Sequence, residues 1–189
     1  MNLSVLLIVF LVVLVVVAIY AVSVYNNLIS LKTRVRESSS DIDVQLKRRY
    51  DLIPNLIETV KGSTKFESET LEKVVKARQQ AIDISGLGQD KAAAENMLSG
   101  ALRQLFALSE SYPDLKSNQN FLSMQEELTN TEDRVLASRR FYNQVVTDYN
   151  TTQDQFPAML FKSLASAKPE PFFELENPTE ERKNVSVKF

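Results

Sequence analysis

Apolar residues follow distinct patterns along this chain, and each pattern predicts a different element. Val5 to Val22 is uninterrupted apolar sequence, and Leu3 to Val24 extends the run with only Ser4 and Ser23 as polar members. A helix of that length spans roughly 30 Å, the thickness of a hydrocarbon core. No Lys or Arg precedes the run, it outlasts the apolar region of a secretory signal, and no A-x-A site closes it. Residues 1–24 are therefore expected to form a membrane anchor and not a cleaved leader.

From Leu28 onward the spacing changes. Leu28, Leu31, Val35, Ile42, Leu46, Tyr50 and Ile53 recur at steps of three, four or seven, laying an apolar stripe on one helical face. No Gly or Pro occurs before Pro54, so the anchor helix is expected to continue into water. At Pro54 it should kink or restart, with Asp51 as the new N-cap. A second stripe, Leu56, Ile57, Val60, Leu71, Val74, Val75, Arg78 and Ile82, is interrupted at Gly62 and ends at Ser85-Gly86-Leu87-Gly88. Asp90 opens an alanine-rich helix to about Glu110, which Tyr112-Pro113-Asp114 terminates.

The most regular segment is Phe121, Met124, Leu128, Thr131, Val135, Ser138, Tyr142, Val145 and Tyr149, whose alternating steps of three and four make a heptad seam. A short helix is expected over Ala158 to Ala165, and an extended acidic tail over residues 168–189, in which Val185, Val187 and Phe189 alternate as a strand would. Each predicted helix has an apolar stripe, not an apolar circumference, so it must pack against others. The expected fold is all-α: a single transmembrane helix continuing into an antiparallel bundle of about four long helices over residues 25–167. Seams of this kind also serve coiled-coil homo-oligomers, and the face from Leu28 to Tyr50 is the best placed for contacts between copies.

Composition supports helix, with only 4 glycines and 6 prolines, and narrows the chemistry. The balance of 24 acidic against 22 basic residues leaves a net charge of −2, so nucleic acid is not an expected partner. Without cysteine there is no disulfide, thiolate metal site or thiol nucleophile, and without histidine the commonest base near neutral pH is missing. Asp43, Asp51 and Glu58 offer carboxylates, yet bundle metal sites combine Glu with His. No cofactor, metal or catalytic residue is expected.

Several of these stretches resemble the LemA proteins of bacteria. They are Tyr25-Asn26-x-Leu28, the block IDVQLKRRYDLIPNL from Ile42 to Leu56 followed by Glu58-Thr59-Val60-Lys61-Gly62, Ala77-Arg78, SYPDLKSNQNF from Ser111 to Phe121, TEDRVLASRRFYN from Thr131 to Asn143, Tyr149-Asn150 and Phe156-Pro157. Members often carry a Trp shortly before the block and a His before the residue matching Glu67, where this chain has Ser38-Ser39-Ser40 and Phe66. The resemblance implies a single-pass protein with a cytoplasmic antiparallel helical bundle, and it brings no established activity and no catalytic residues.

Three groups of residues are candidates for function. Lys32, Arg34 and Arg36 follow the apolar run closely enough to meet anionic headgroups, and they place the N-terminus outside and the domain in the cytoplasm at the inner or plasma membrane. Asp43, Lys47, Asp51, Asn55, Glu58, Glu132, Arg140, Tyr142 and Asn143 are expected to form a polar network or cleft between helices. Phe172 and Phe173 are large aromatics in the acidic tail, suited to docking on the bundle or on a partner. Together these predict a non-enzymatic, membrane-tethered scaffold that self-associates and organises the bilayer or other membrane proteins. A ligand- or peptide-sensing bundle and a membrane-shaping oligomer are the alternatives.

Overall fold

In a computed structural model, which describes residues 3–62 and 68–174, the chain is all-α with no strand among the described residues. Helix α1 spans Leu3–Lys61, α2 Ser68–Asp83, α3 Gln89–Ser109, the single turn α4 Pro113–Lys116 and α5 Gln119–Asp154. A 3₁₀ turn over Ala158–Phe161 follows a cis Phe156–Pro157 bond. The strand pattern at Val185, Val187 and Phe189 and most of the acidic tail lie outside the described residues.

The chain divides into two compact units. Of the described residues, one unit combines those up to Ser38 with Gln144–Glu170; the other combines those between Ser39 and Asn143 with 171–174. In the first, the apolar run forms the start of α1, long and apolar enough to cross a membrane. Every described residue of the run up to Tyr20 is exposed, as suits a segment that has lipid for its solvent. Leu28 and Val35 of α1 and Val145, Val146 and Tyr149 of α5 are buried. The expected short helix is reduced to the 3₁₀ turn followed by turns to Ser166, which carries a positive φ of 46°.

The second unit holds the rest of α1, with α2, α3, α4 and the first part of α5. Ile42, Leu46, Ile53, Leu56 and Val60 of α1 are buried, as are Leu71, Val74 and Ala81 of α2 and Leu98, Leu102 and Leu105 of α3. Phe121, Leu128 and Val135 of α5 join them, so the heptad positions face inward. Burial of Leu28, Val35, Ile42 and Leu46 corrects the expectation that this face of α1 is open to other copies: the chain covers its own stripe. α2 and α3 form a hairpin around Gly86, whose φ of 81° is a left-handed conformation that glycine adopts without strain. Asn118 starts α5 as its N-cap, its side-chain oxygen accepting from the backbone N–H of Asn120 and Phe121 at 2.9 and 3.3 Å.

Pro54 corrects a second expectation. Of the two outcomes expected there, a kink or a restart, the restart does not occur: α1 continues to Lys61, so residues 56–61 belong to it and not to the following helix. Proline has no N–H to give the carbonyl four residues back, which is that of Tyr50. Arg78 of α2 supplies the missing donor, its Nε lying 2.9 Å from the Tyr50 oxygen. An apolar stripe that includes an arginine thus becomes intelligible: Arg78 fills the gap that the proline opens.

Candidate functional site

The most unusual residue of the second unit is a buried cation. Arg49 lies three residues after Leu46 and four before Ile53, which puts it on the inward side of α1, and its side chain is only 2% exposed. Its guanidinium meets Glu95 of α3 at 3.4 Å, donates to the Ser99 hydroxyl at 2.8 Å, and reaches Glu132 of α5 at 3.8 Å. Three helices are therefore joined through one planar fork, which suits arginine and would not suit lysine.

Glu95 is 6% exposed and is compensated from several sides. Tyr50, next along α1, donates its hydroxyl to it, and Lys91, one helical turn earlier on α3, approaches to 4.0 Å. Burial, followed by the hydrogen bond to Glu95 and that carboxylate's charge, drives the Tyr50 pKa well above the usual tyrosine range, so the phenol stays protonated. The Lys91 ammonium sits 5.4 Å above the Tyr50 ring. It also donates to the carbonyls of Ala81 and Ile84 at 2.6 and 3.1 Å, closing the C-terminal end of α2.

One side of this centre opens to solvent as a cleft of about 210 Å³, lined by Arg49, Glu95, Ser99, Arg103, Glu132 and Arg139, with Phe173 among the remaining walls. Arg103 pairs with Glu132 at 3.3 Å, and the Arg139 guanidinium lies 5.9 Å from the Phe173 ring centre. Phe173 is held by a two-way clamp: its N–H donates to the Asn143 side chain at 2.9 Å, and the Asn143 amide donates to its carbonyl at 3.2 Å. Tyr142 donates to the Pro171 carbonyl at 2.9 Å. In the other unit Asn150 repeats the clamp on Glu170, with both distances at 2.9 Å.

Of the residues expected to form a polar network, Glu132 lines this cleft, and Tyr142 and Asn143 hold the segment that carries Phe173. The others sit elsewhere. Lys47 and Asp51 pair at 2.8 Å in solvent, Glu58 pairs with Lys61 at 3.5 Å, and Asp43, Asn55 and Arg140 are exposed. Phe173 is 1% exposed, whereas Phe172 is 38% exposed. Lys32 donates to the Ser166 carbonyl at 3.0 Å, and Arg34 and Arg36 are exposed. Among the described residues no group of three or more acidic, histidine or cysteine side chains is placed to hold a metal.

Arg49, Tyr50, Lys91, Glu95, Ser99 and Arg103 were not among the expected network, although the sequence held a signal for two of them. Arg49 lies in register with the stripe and was hidden only by its neighbours Lys47 and Arg48. Glu95 lies three residues after Ala92 and three before Leu98, both buried. A charged residue on the inward side of each of two facing helices is the pattern of a buried ion pair.

Comparison with known proteins identifies relatives of this chain. The model of the LemA family matches residues 38–189. Protein LemA of Metamycoplasma hominis is 30% identical over 132 residues, covering 67% of this chain and 58% of that protein. Magnetosome protein MamQ 2 of Paramagnetospirillum magneticum is 25% identical over 158 residues, and magnetosome protein MamQ of Magnetospirillum gryphiswaldense 20%, each covering 70% of this chain and 58% of the relative. The chain thus matches little more than half the length of these relatives, and none of their names is that of an enzyme.

Proposed function

The chain belongs to the LemA family, and from the make-up of its polar centre we propose that it is a membrane-anchored helical scaffold without catalytic chemistry of its own. The observation that carries this is that the buried charges are paired with neighbours in the same chain. Arg49 joins three helices, Lys91 caps a fourth, and Tyr50 is held protonated. General acid–base catalysis needs a group whose proton is exchangeable near the working pH, and the contacts of Tyr50 favour the opposite for its phenol. Such a centre fixes helix register, which is what a scaffold requires.

In this proposal residues 3–24 cross the bilayer, Lys32, Arg34 and Arg36 keep the domain on the cytoplasmic side, and the bundle is presented to other membrane proteins or to further copies. Because the stripe on α1 is covered within the chain, self-association would use other surfaces. The test is size-exclusion chromatography with light scattering on the full-length protein in detergent, beside extraction of native membranes with carbonate. A discrete multiple of the 21.4 kDa chain that resists extraction is the expected result. A monomer released by carbonate would overturn the proposal.

A sensing role has one observation in its favour: the cleft beside Arg49 brings Arg103 and Arg139 together with Glu132 and Phe173, a lining suited to an acidic ligand. An acidic peptide that raises the melting temperature of the wild type, but not that of R139A, would support it. No shift with such peptides would remove it.

A further inference from the structure

We infer that the segment from Phe156 to Leu164 is a second membrane contact, seated in the lipid surface beside the anchor. The inference rests on the anchor proposed above. Its first support is an inverted burial pattern. Ala158, Ala165 and Ala167 are buried, while the large apolar residues around them face out: Phe156 is 78% exposed, Leu160 65% and Leu164 71%, with Met159 exposed as well. A segment solvated by water hides its largest apolar side chains first. Small residues inward and large ones outward is the arrangement of a surface whose surroundings are themselves apolar.

The second support is position. Phe161 and Leu164 line one apolar pocket together with Ala21, Val22 and Tyr25 of α1. Those α1 residues are at the end of the run that fits the hydrocarbon core, so side chains packed on them are within reach of the acyl boundary. The segment is also oriented. Its far end is tied to α1 by Lys32, which donates to the Ser166 carbonyl at 3.0 Å. Lys32 is about 10 Å further from the run than Tyr25 at 1.5 Å per residue, so the chain descends from Ser166 toward the bilayer. Lys162 turns its ammonium to Asp154 at 2.6 Å, so an apolar contact and not an anionic headgroup is the occupant the surface fits.

The chain has no tryptophan, so L160W and L164W in the full-length protein each introduce a single fluorophore at an exposed position. Both are reconstituted into phosphatidylcholine vesicles with plain or brominated acyl chains, and V13W, inside the apolar run, reports on the anchor separately. Expected for L160W and L164W are a blue-shifted emission and a loss of intensity in the brominated vesicles. Water-like emission without quenching, while V13W is quenched, would overturn the inference and leave the anchor standing. Blue-shifted emission without quenching would mean that protein, such as a second copy, covers the segment, and would also overturn it. An unquenched V13W would remove the anchor and the inference with it.

Discussion

Removing the Arg49 guanidinium while keeping its apolar stem, as in R49M, leaves Glu95 as a buried anion without its main counter-charge. Breaking a buried pair from one side costs about 3–5 kcal/mol. Glu95 keeps the Tyr50 hydroxyl and has Lys91 at 4.0 Å, which points to the lower end, about 3 kcal/mol. At about 2–4 °C per kcal/mol for a domain of this size, R49M should melt about 6–12 °C below the wild type. E95Q supplies the decisive comparison, because its amide oxygen still accepts from Tyr50 but carries no charge. In the wild-type background E95Q destabilises, since Arg49 then has only Glu132, at 3.8 Å, as a counter-ion. In the R49M background it restores stability by removing the stranded anion. Circular dichroism at 222 nm during thermal and urea unfolding of the full-length protein in detergent measures all four corners of the cycle. If E95Q destabilises in both backgrounds, charge pairing is not what holds these helices together.

Four further substitutions extend the test. Because the folded pKa of Tyr50 is raised, its contribution is fully present below the unfolded value near 10 and is lost as pH rises above it, with a limiting slope of about 1.4 kcal/mol per pH unit; pH-dependent unfolding of Y50F should show a shallower alkaline decline. F173A empties a buried aromatic site and should cost about 3–5 kcal/mol, whereas F172A should stay within about 1 kcal/mol; equal effects in urea titrations would refute the assignment of Phe173 as the anchor. K91M leaves the carbonyls of Ala81 and Ile84 without their donor and should cost about 1–3 kcal/mol, with hydrogen exchange rising first at the end of α2.

How far the sequence discloses this molecule depends on the kind of force involved. The apolar run, the hairpin at Gly86 and the ends of α3 are legible because spacing, glycine and proline act locally. Helix continuity at Pro54 is not, because it depends on Arg78, which comes from another helix. The polar centre divides in the same way. Lys47, Arg48 and Arg49 look alike in sequence, and only the register of the stripe separates the buried one from its exposed neighbours. Asp43, Asn55 and Arg140 carry the right chemistry on outward-facing positions, and composition alone cannot tell an inward from an outward carboxylate. Phe172 and Phe173 were equivalent candidates until the Asn143 clamp fixed which one points in.

The bond between Arg78 and the Tyr50 carbonyl bears on how this chain can vary over time. A mutation of Pro54 to alanine would let α1 close its own ladder, and the guanidinium that had answered a vacancy would have to share its acceptor with the restored N–H. Loss of the arginine alone would strand the carbonyl. Positions 54 and 78 should therefore drift together among descendants of this sequence, and a designer who repairs one without the other would have made a mismatch out of a correction.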